Sequence, residues 1–351
     1  MNRRDVLRTT AAAVVVGAGR LGAAESPRKT ALGIVKYARL TRQATQKASD
    51  PHHDLFEPLA FLEHCRQLGA GGIQVPLGIR DGEYARGLRR RAAQHGMFVE
   101  AIVEPPRGRA DVERFSAVMR TAAEAGARAA CTVLFPGRRY EEFDSPEQFR
   151  RCDEQALRAA ELAAPVAEKY GVPLAVENHK DHLVRERLEL LKRITSQWVG
   201  MCVDVGNNIA LLEDPIEVIE AFAPWAFAVH LKDHAVQESA DGFLLADVPL
   251  GKGFLDLKKV VAILRKARPE IRFSLEVITR DPLYVPCLTE KYWTTLAAVS
   301  GRELARAMRL VRKHRAETLP TIRALPREEQ VAIEDANLKA SLAYARDELG
   351  I

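Results

Sequence analysis

Short apolar runs, four to seven residues long, alternate with longer amphipathic stretches from residue 31 onward, and the alternation repeats eight times. The runs fall at 31–35, 72–75, 97–103, 129–134, 173–177, 199–204, 226–231 and 272–277. They predict strands buried on both faces. Between them, apolar residues recur at helical spacing over 56–68, 111–125, 146–169, 183–194 and 257–266. Asp111, Ser145 and Asp256 stand where helix N-caps belong, and Gly171 followed by Pro173 closes the longest helix. Strand–helix alternation implies a parallel sheet covered by helices, and a closed (β/α)8 TIM barrel over 31–280 fits the count of eight without leaving a polar edge strand. Residues 281–351 exceed what one last helix requires. Helical patterns at 290–313 and 327–349 predict a C-terminal helical extension that wraps the barrel or supplies a homo-oligomer contact.

The composition, 47% hydrophobic over 351 residues, excludes a disordered chain. No run of about 18 apolar residues exists, so no stable membrane insertion is expected. The formal charge is +5, but the first 24 residues carry Arg3, Arg4, Arg8 and Arg20 against Asp5, a net +3 that leaves +2 for the rest. That balance gives no reason to expect a nucleic-acid partner, and the basic run from Arg86 to Arg91 reads as a solvated helix face. The N-terminal residues 2–8 resemble the twin-arginine export motif, and a mild apolar stretch and small residues at Ala23 and Ala24 follow. Residues 1–24 therefore read as a twin-arginine signal peptide, with periplasmic or otherwise exported localisation. The same stretch contains G-x-G-x-x-G at 17–22, but Pro27 arrives where a helix is needed, and Thr41 and Arg42 stand near the position of the acidic residue, so a dinucleotide site is rejected. Five cysteines show no metal-finger spacing, and Cys131 and Cys202 read as small buried apolar groups.

Four apolar strands end on groups that are costly to bury alone: Glu177, Asp204, His230 and Glu276. In a barrel these positions, on strands five to eight, surround one mouth, the carboxyl end where active sites sit. Three carboxylates and an imidazole make an oxygen-rich site for one divalent cation. Mn2+ is the first choice, with Mg2+, Co2+ or Zn2+ as alternatives. The absence of thiolate argues against structural zinc.

Taken together, E-N-H at 177–179, D-x-G-N at 204–207, H-x-K-D at 230–233, G-x-G-x-x-D at 251–256 and L-E at 275–276 resemble the xylose-isomerase-like barrel superfamily of sugar isomerases and epimerases, across roughly 31–279. The resemblance implies metal binding by Glu177, Asp204, His230 and Glu276, with Glu177 and Glu276 as an acid/base pair. The implied activity is a metal-dependent sugar isomerase or epimerase working on a small carbohydrate through an enediolate. A keto-sugar lyase, dehydratase or hydratase on the same scaffold and a non-catalytic carbohydrate-binding protein are the alternatives. Leu183, Asn207 and Val236 stand where ketose 3-epimerases carry Glu, His and Arg, so a ketose 3-epimerase as such is not expected. His179, Asn207, Lys232, Arg280 and Glu104 are the candidate substrate contacts. The related abasic-site endonucleases need further His and Asp ligands, and Asn207 stands where one of those histidines belongs. Gly251 to Gly253 is too short for a phosphate loop and reads as a flexible loop over the site.

Overall fold

The computed structural model describes residues 28–351, so the twin-arginine segment and its glycine run lie outside the described residues. Among these residues eleven strands form: β1 (Gly33–Val35), β2 (Gly72–Pro76), β3 (Phe98–Ile102), β4 (Ala130–Thr132), β5 (Leu174–Glu177), β6 (Val199–Asp204), β7 (Ala226–Leu231), β8 (Asp233–Ser239), β9 (Gly242–Val248), β10 (Phe273–Leu275) and β11 (Leu283–Val285). The eight apolar runs become β1 to β7 and β10, which close into a barrel in the order β1-β10-β7-β6-β5-β4-β3-β2, every neighbour parallel. The chain is a (β/α)8 barrel.

The two faces of these strands differ in size, and that difference makes room for chemistry. Large side chains such as Leu174, Val176, Met201, Val203, Val229 and Leu231 join the main core beneath the helices. The alternate positions Ala129, Cys131, Ala175, Cys202 and Ala228 form a separate small cluster. Gln74, Glu100 and Ser274 are also fully buried. At the opposite end the Phe98 ring lies so close over β2 that a Cβ at Gly72 would approach it to 2.4 Å.

Helix boundaries follow local chemistry. Ser145 Oγ accepts from Gln148 N at 3.3 Å to start Pro146–Tyr170, and Gly171 ends it in the left-handed region at φ 63°. Asp256 caps Leu257–Ala267 through Lys259 N at 3.0 Å. The cap expected at Asp111 is not made: its carboxylate is occupied by Arg107 N at 3.0 Å and the Arg114 guanidinium at 2.7 Å.

Two regions depart from the sequence expectation. The chain inserts β8 and β9 as an antiparallel hairpin before the last barrel strand, and β11 adds to its edge. The 251–253 loop behind it is pinned, not flexible. Asp233 Oδ2 accepts Gly251 N at 3.0 Å and Gly253 N at 2.9 Å, while Oδ1 accepts His234 N and Leu255 N. The helical stretch expected over 290–313 is split into Glu290–Trp293 and Gly301–Lys313, the second opened by a Ser300–Glu303 capping box.

The last helix, Arg327–Glu348, packs on its own barrel. Leu338, Leu342 and Ala345 enter the main core. Buried Glu334 accepts from Thr41 N and Arg42 N, and Arg39 pairs with Glu334 at 3.4 Å and Asp335 at 2.7 Å. Of the two readings of the extension, these contacts support wrapping. No helix among the described residues is long and apolar enough to cross a membrane.

Candidate metal centre

Glu177 closes β5, Asp204 closes β6, His230 is the penultimate residue of β7, and Glu276 directly follows β10. The parallel register sets Asp204 beside His230 and Ser274 beside His230. One donor atom from each of Glu177, Asp204, His230 and Glu276 lies within 4.8 Å of the others, and all four residues are buried. Nδ1 of His230 is 3.3 Å from Glu177 Oε2, 3.6 Å from Glu276 Oε1 and 3.9 Å from Asp204 Oδ2.

The cluster fits a divalent cation on two counts. First, the buried His230 Nδ1 makes no well-formed hydrogen bond although three carboxylates surround it, a costly state unless a further group is shared among them. Second, the three carboxylates draw positive charge. Burial works against a charged His230, yet Glu276 and Glu177 push it up to about 10. Burial, with Glu276 and Glu177 adding to it and Lys232 opposing, pushes Asp204 up to about 7. The Lys232 ammonium meanwhile bridges Asp204 and Glu276. A proton and an ammonium thus balance charge that a dication would balance better.

A second donor set, Cys131, Cys202 and His230, shares the imidazole. It suits a cation less well. His230 Nε2 already donates to Gln74 Oε1 at 2.7 Å, Cys131 Sγ accepts from Gln74 Nε2 at 3.2 Å, and burial raises the Cys202 thiol far above its usual range.

The sequence reading missed the group that aims the imidazole. Gln74 takes His230 Nε2–H and leaves Nδ1 facing the carboxylates. Gln74 in turn donates to Glu100 Oε2 at 2.9 Å, which also accepts from Ser274 Oγ at 2.8 Å. Burial pushes the Glu100 carboxyl up. A polar residue interrupting each of the apolar runs at 72–75 and 97–103 was the available signal. Gln74→Leu is expected to weaken metal affinity by ~10–100-fold, the usual cost of losing a ligand's outer partner. Metal titration checks it, and unchanged affinity would mean that the Nε2 contact does not orient the ring.

The remaining candidates are placed differently from one another. Asn207 is fully buried, donating to Glu177 Oε1 at 3.2 Å and Asn178 O at 3.0 Å and accepting from Lys180. It supports Glu177 from behind. Two cavities flank the cluster. One of about 400 Å³ is bordered by Glu177, His179, Lys180, Lys232, Glu276 and Arg280. His179 Nδ1 has no partner there, and Arg280 is tied to Asp247 at 3.0 Å. The other, about 880 Å³, reaches Glu177 and His230 from the side of Tyr37 and Gln74. Glu104 lies at its rim, 76% exposed, 3.5 Å from Arg107.

Behind this wall, a Cβ at Gly206 would come within 2.2 Å of the His234 ring. Only glycine permits that approach after Asp204.

Solved structures of similar fold include D-psicose 3-epimerase in the presence of D-fructose, at 15% identity and TM-score 0.55 over 86% of this chain and 95% of that one. L-ribulose 3-epimerase aligns at 17% identity and TM-score 0.52 over 82% and 99%. The IOLI protein with a bound zinc atom aligns at 18% and 0.50 over 81% and 98%. At such identities the likeness is one of fold. The 3-oxo-isoapionate decarboxylase of Pectobacterium atrosepticum is 36% identical over 127 residues, 36% of this chain and 45% of that protein, so the match spans less than half of the relative's length. The family described as xylose isomerase-like TIM barrel matches residues 62–308, well over half of the sequence, and the chain belongs to that family.

Proposed function

We propose that the chain is a divalent-metal-dependent enzyme that moves a proton beside the carbonyl of a sugar or keto-sugar, as an isomerase or epimerase. The observation that carries this reading is the buried three-carboxylate, one-imidazole cluster around His230 Nδ1, which has no well-formed hydrogen bond of its own, opening to cavities on both sides. Glu177, Asp204, His230 and Glu276 would hold the ion, Mn2+ being the first choice. Bound there, it would supply Lewis-acid polarisation of the substrate carbonyl and stabilise the negative charge of an enediolate. Glu177, bordering both cavities, and Glu276, bordering the smaller, are placed to take the α-proton and return it to a neighbouring carbon or to the opposite face. Burial works against a charged Glu276, yet the Lys232 ammonium keeps it ionised and well below the usual carboxylate range, so it takes a proton readily only as that contact loosens.

A lyase is the second reading, and the partial match to a decarboxylase favours it. In that reaction the bond to a β-carboxylate breaks, its electron pair passes toward the carbonyl, carbon dioxide leaves, and a glutamate delivers a proton to the carbon. Nuclear magnetic resonance in deuterated water separates the two. Isomerase or epimerase chemistry gives deuterium α to the carbonyl with every carbon retained. Lyase chemistry gives deuterium with loss of a carbon fragment.

Export through the twin-arginine route is part of the proposal, resting on residues 2–8. Replacing Arg3 and Arg4 with Lys is expected to hold the precursor in the cytoplasm with its fold intact. Undiminished delivery to the periplasm would overturn it.

A further inference from the structure

Five lysine or arginine side chains are buried among the described residues: Arg39, Arg139, Lys180, Arg187 and Lys232. Four have a carboxylate within 4.0 Å. Arg39 has Asp335, Arg139 has Glu186, Arg187 has Asp181, and Lys232 has Asp204 and Glu276. Lys180 alone has none. It is 4% exposed, and its one hydrogen-bond partner is the neutral amide oxygen of Asn207. An ammonium carries three donors, so two remain to be satisfied. Burying a charge with no carboxylate in contact is costly, and the protein adds backbone strain at the same residue, whose φ of 58° is left-handed.

The surroundings supply the reason. Lys180 borders the 400 Å³ cavity together with Glu177, Lys232, Glu276 and Arg280. Lys232 is spent on two carboxylates and Arg280 on Asp247. His179 brings a ring nitrogen with no partner to the same wall. Through Asn207, Lys180 stands one side chain away from Glu177. Lys180 thus borders the same cavity as Glu177 and Glu276, the two glutamates of the four-ligand cluster.

We propose that Lys180 is the carboxylate-binding residue of the substrate pocket and that the substrate is a sugar acid, a keto-aldonate whose carboxylate rests on Lys180 while its carbonyl and hydroxyl face Glu177 and Glu276. A phosphate suits the position less well. A phosphate calls for several cationic donors, and of the lysines and arginines lining the cavity Lys180 is the one without a carboxylate partner. The inference rests on the metal-site reading for the placement of the carbonyl, but the lack of a carboxylate in contact with Lys180 stands without it.

The test is calorimetric binding of 2-keto-D-gluconate, D-fructose and fructose 6-phosphate to Mn2+-loaded wild type, K180M and K180R, with bound metal measured for each protein. A charge-assisted contact of this kind corresponds to ~10–100-fold in affinity. Wild type is expected to bind the keto-aldonate by about that factor more tightly than fructose or the sugar phosphate. K180M is expected to lose the preference, and K180R to retain part of it, at unchanged metal content. Equal binding of keto-aldonate and fructose, tighter binding of the phosphate, or a preference that survives K180M would each overturn the proposal. Failure of the metal reading gives a different signature: no Mn2+ retained by wild type, at any sugar.

Discussion

Glu276→Gln is expected to keep most of the bound metal and to lose turnover by ~10²–10⁴-fold, the range for removal of a positioned acid or base. The amide still offers an oxygen, so it can replace the carboxylate as a ligand, but it accepts no proton at neutral pH. The Lys232 ammonium remains paired with Asp204 in this variant, so the pocket keeps one of its two anchors. Glu177→Gln is expected to behave alike, because its carboxylate also faces His230 Nδ1 and borders both cavities. Solvent deuterium exchange α to the substrate carbonyl is the readout. Each variant should slow it. Full exchange with Glu276→Gln would leave that residue a ligand and move the proton transfer elsewhere.

Asp204→Ala is expected to lower metal affinity by more than the ~10–100-fold cost of an outer partner, since it removes a direct donor. Oδ1 of Asp204 also accepts from Gly206 N and Asn207 N at 3.1 Å, so the substitution loosens the turn that carries Asn207. A thermal-shift series separates the two effects. Wild type should gain about 2.7 kcal/mol of stability at a free metal concentration of 100 Kd, and Asp204→Ala should gain almost none under the same conditions. An equal gain in both proteins would mean that the cation binds somewhere else.

Much of the barrel was legible because strands covered on both faces need uninterrupted apolar runs. All eight runs became barrel strands, with ends displaced by two residues or fewer. The hairpin of β8 and β9 was not legible. Its first half, Asp233–Ser239, holds only Ala235 and Val236 as apolar residues, and the apolar run 243–246 of its second half follows the barrel strand at 226–231 with no helical pattern between them, so neither half fits the strand–helix alternation. Asp233 shows the cost of reading motifs without geometry: the acid of H-x-K-D serves to tie down the 251–255 backbone. The four candidate ligands were visible as charged ends of apolar strands, a pattern that needs no tertiary information once eight strands are counted. Gln74 and Glu100 were hidden because they sit inside apolar runs, where one polar residue is easily discounted. Lys180 escaped notice for another reason. Nothing in the sequence sets it apart from Asp181 beside it; in the fold Asp181 is committed to Arg187 and His182, and the lysine is buried without a carboxylate in contact.

The central claim is that the ends of β5, β6 and β7 and the residue following β10 converge on one divalent cation. Anomalous diffraction from crystals grown with Mn2+ measures this directly. A single strong peak is expected within bonding distance, about 2.0–2.6 Å by the usual range for hard cations and their donors, of Glu177, Asp204, His230 Nδ1 and Glu276, with Lys232 displaced toward one carboxylate. A peak only at surface carboxylates, or one on Cys131 and Cys202, would contradict it.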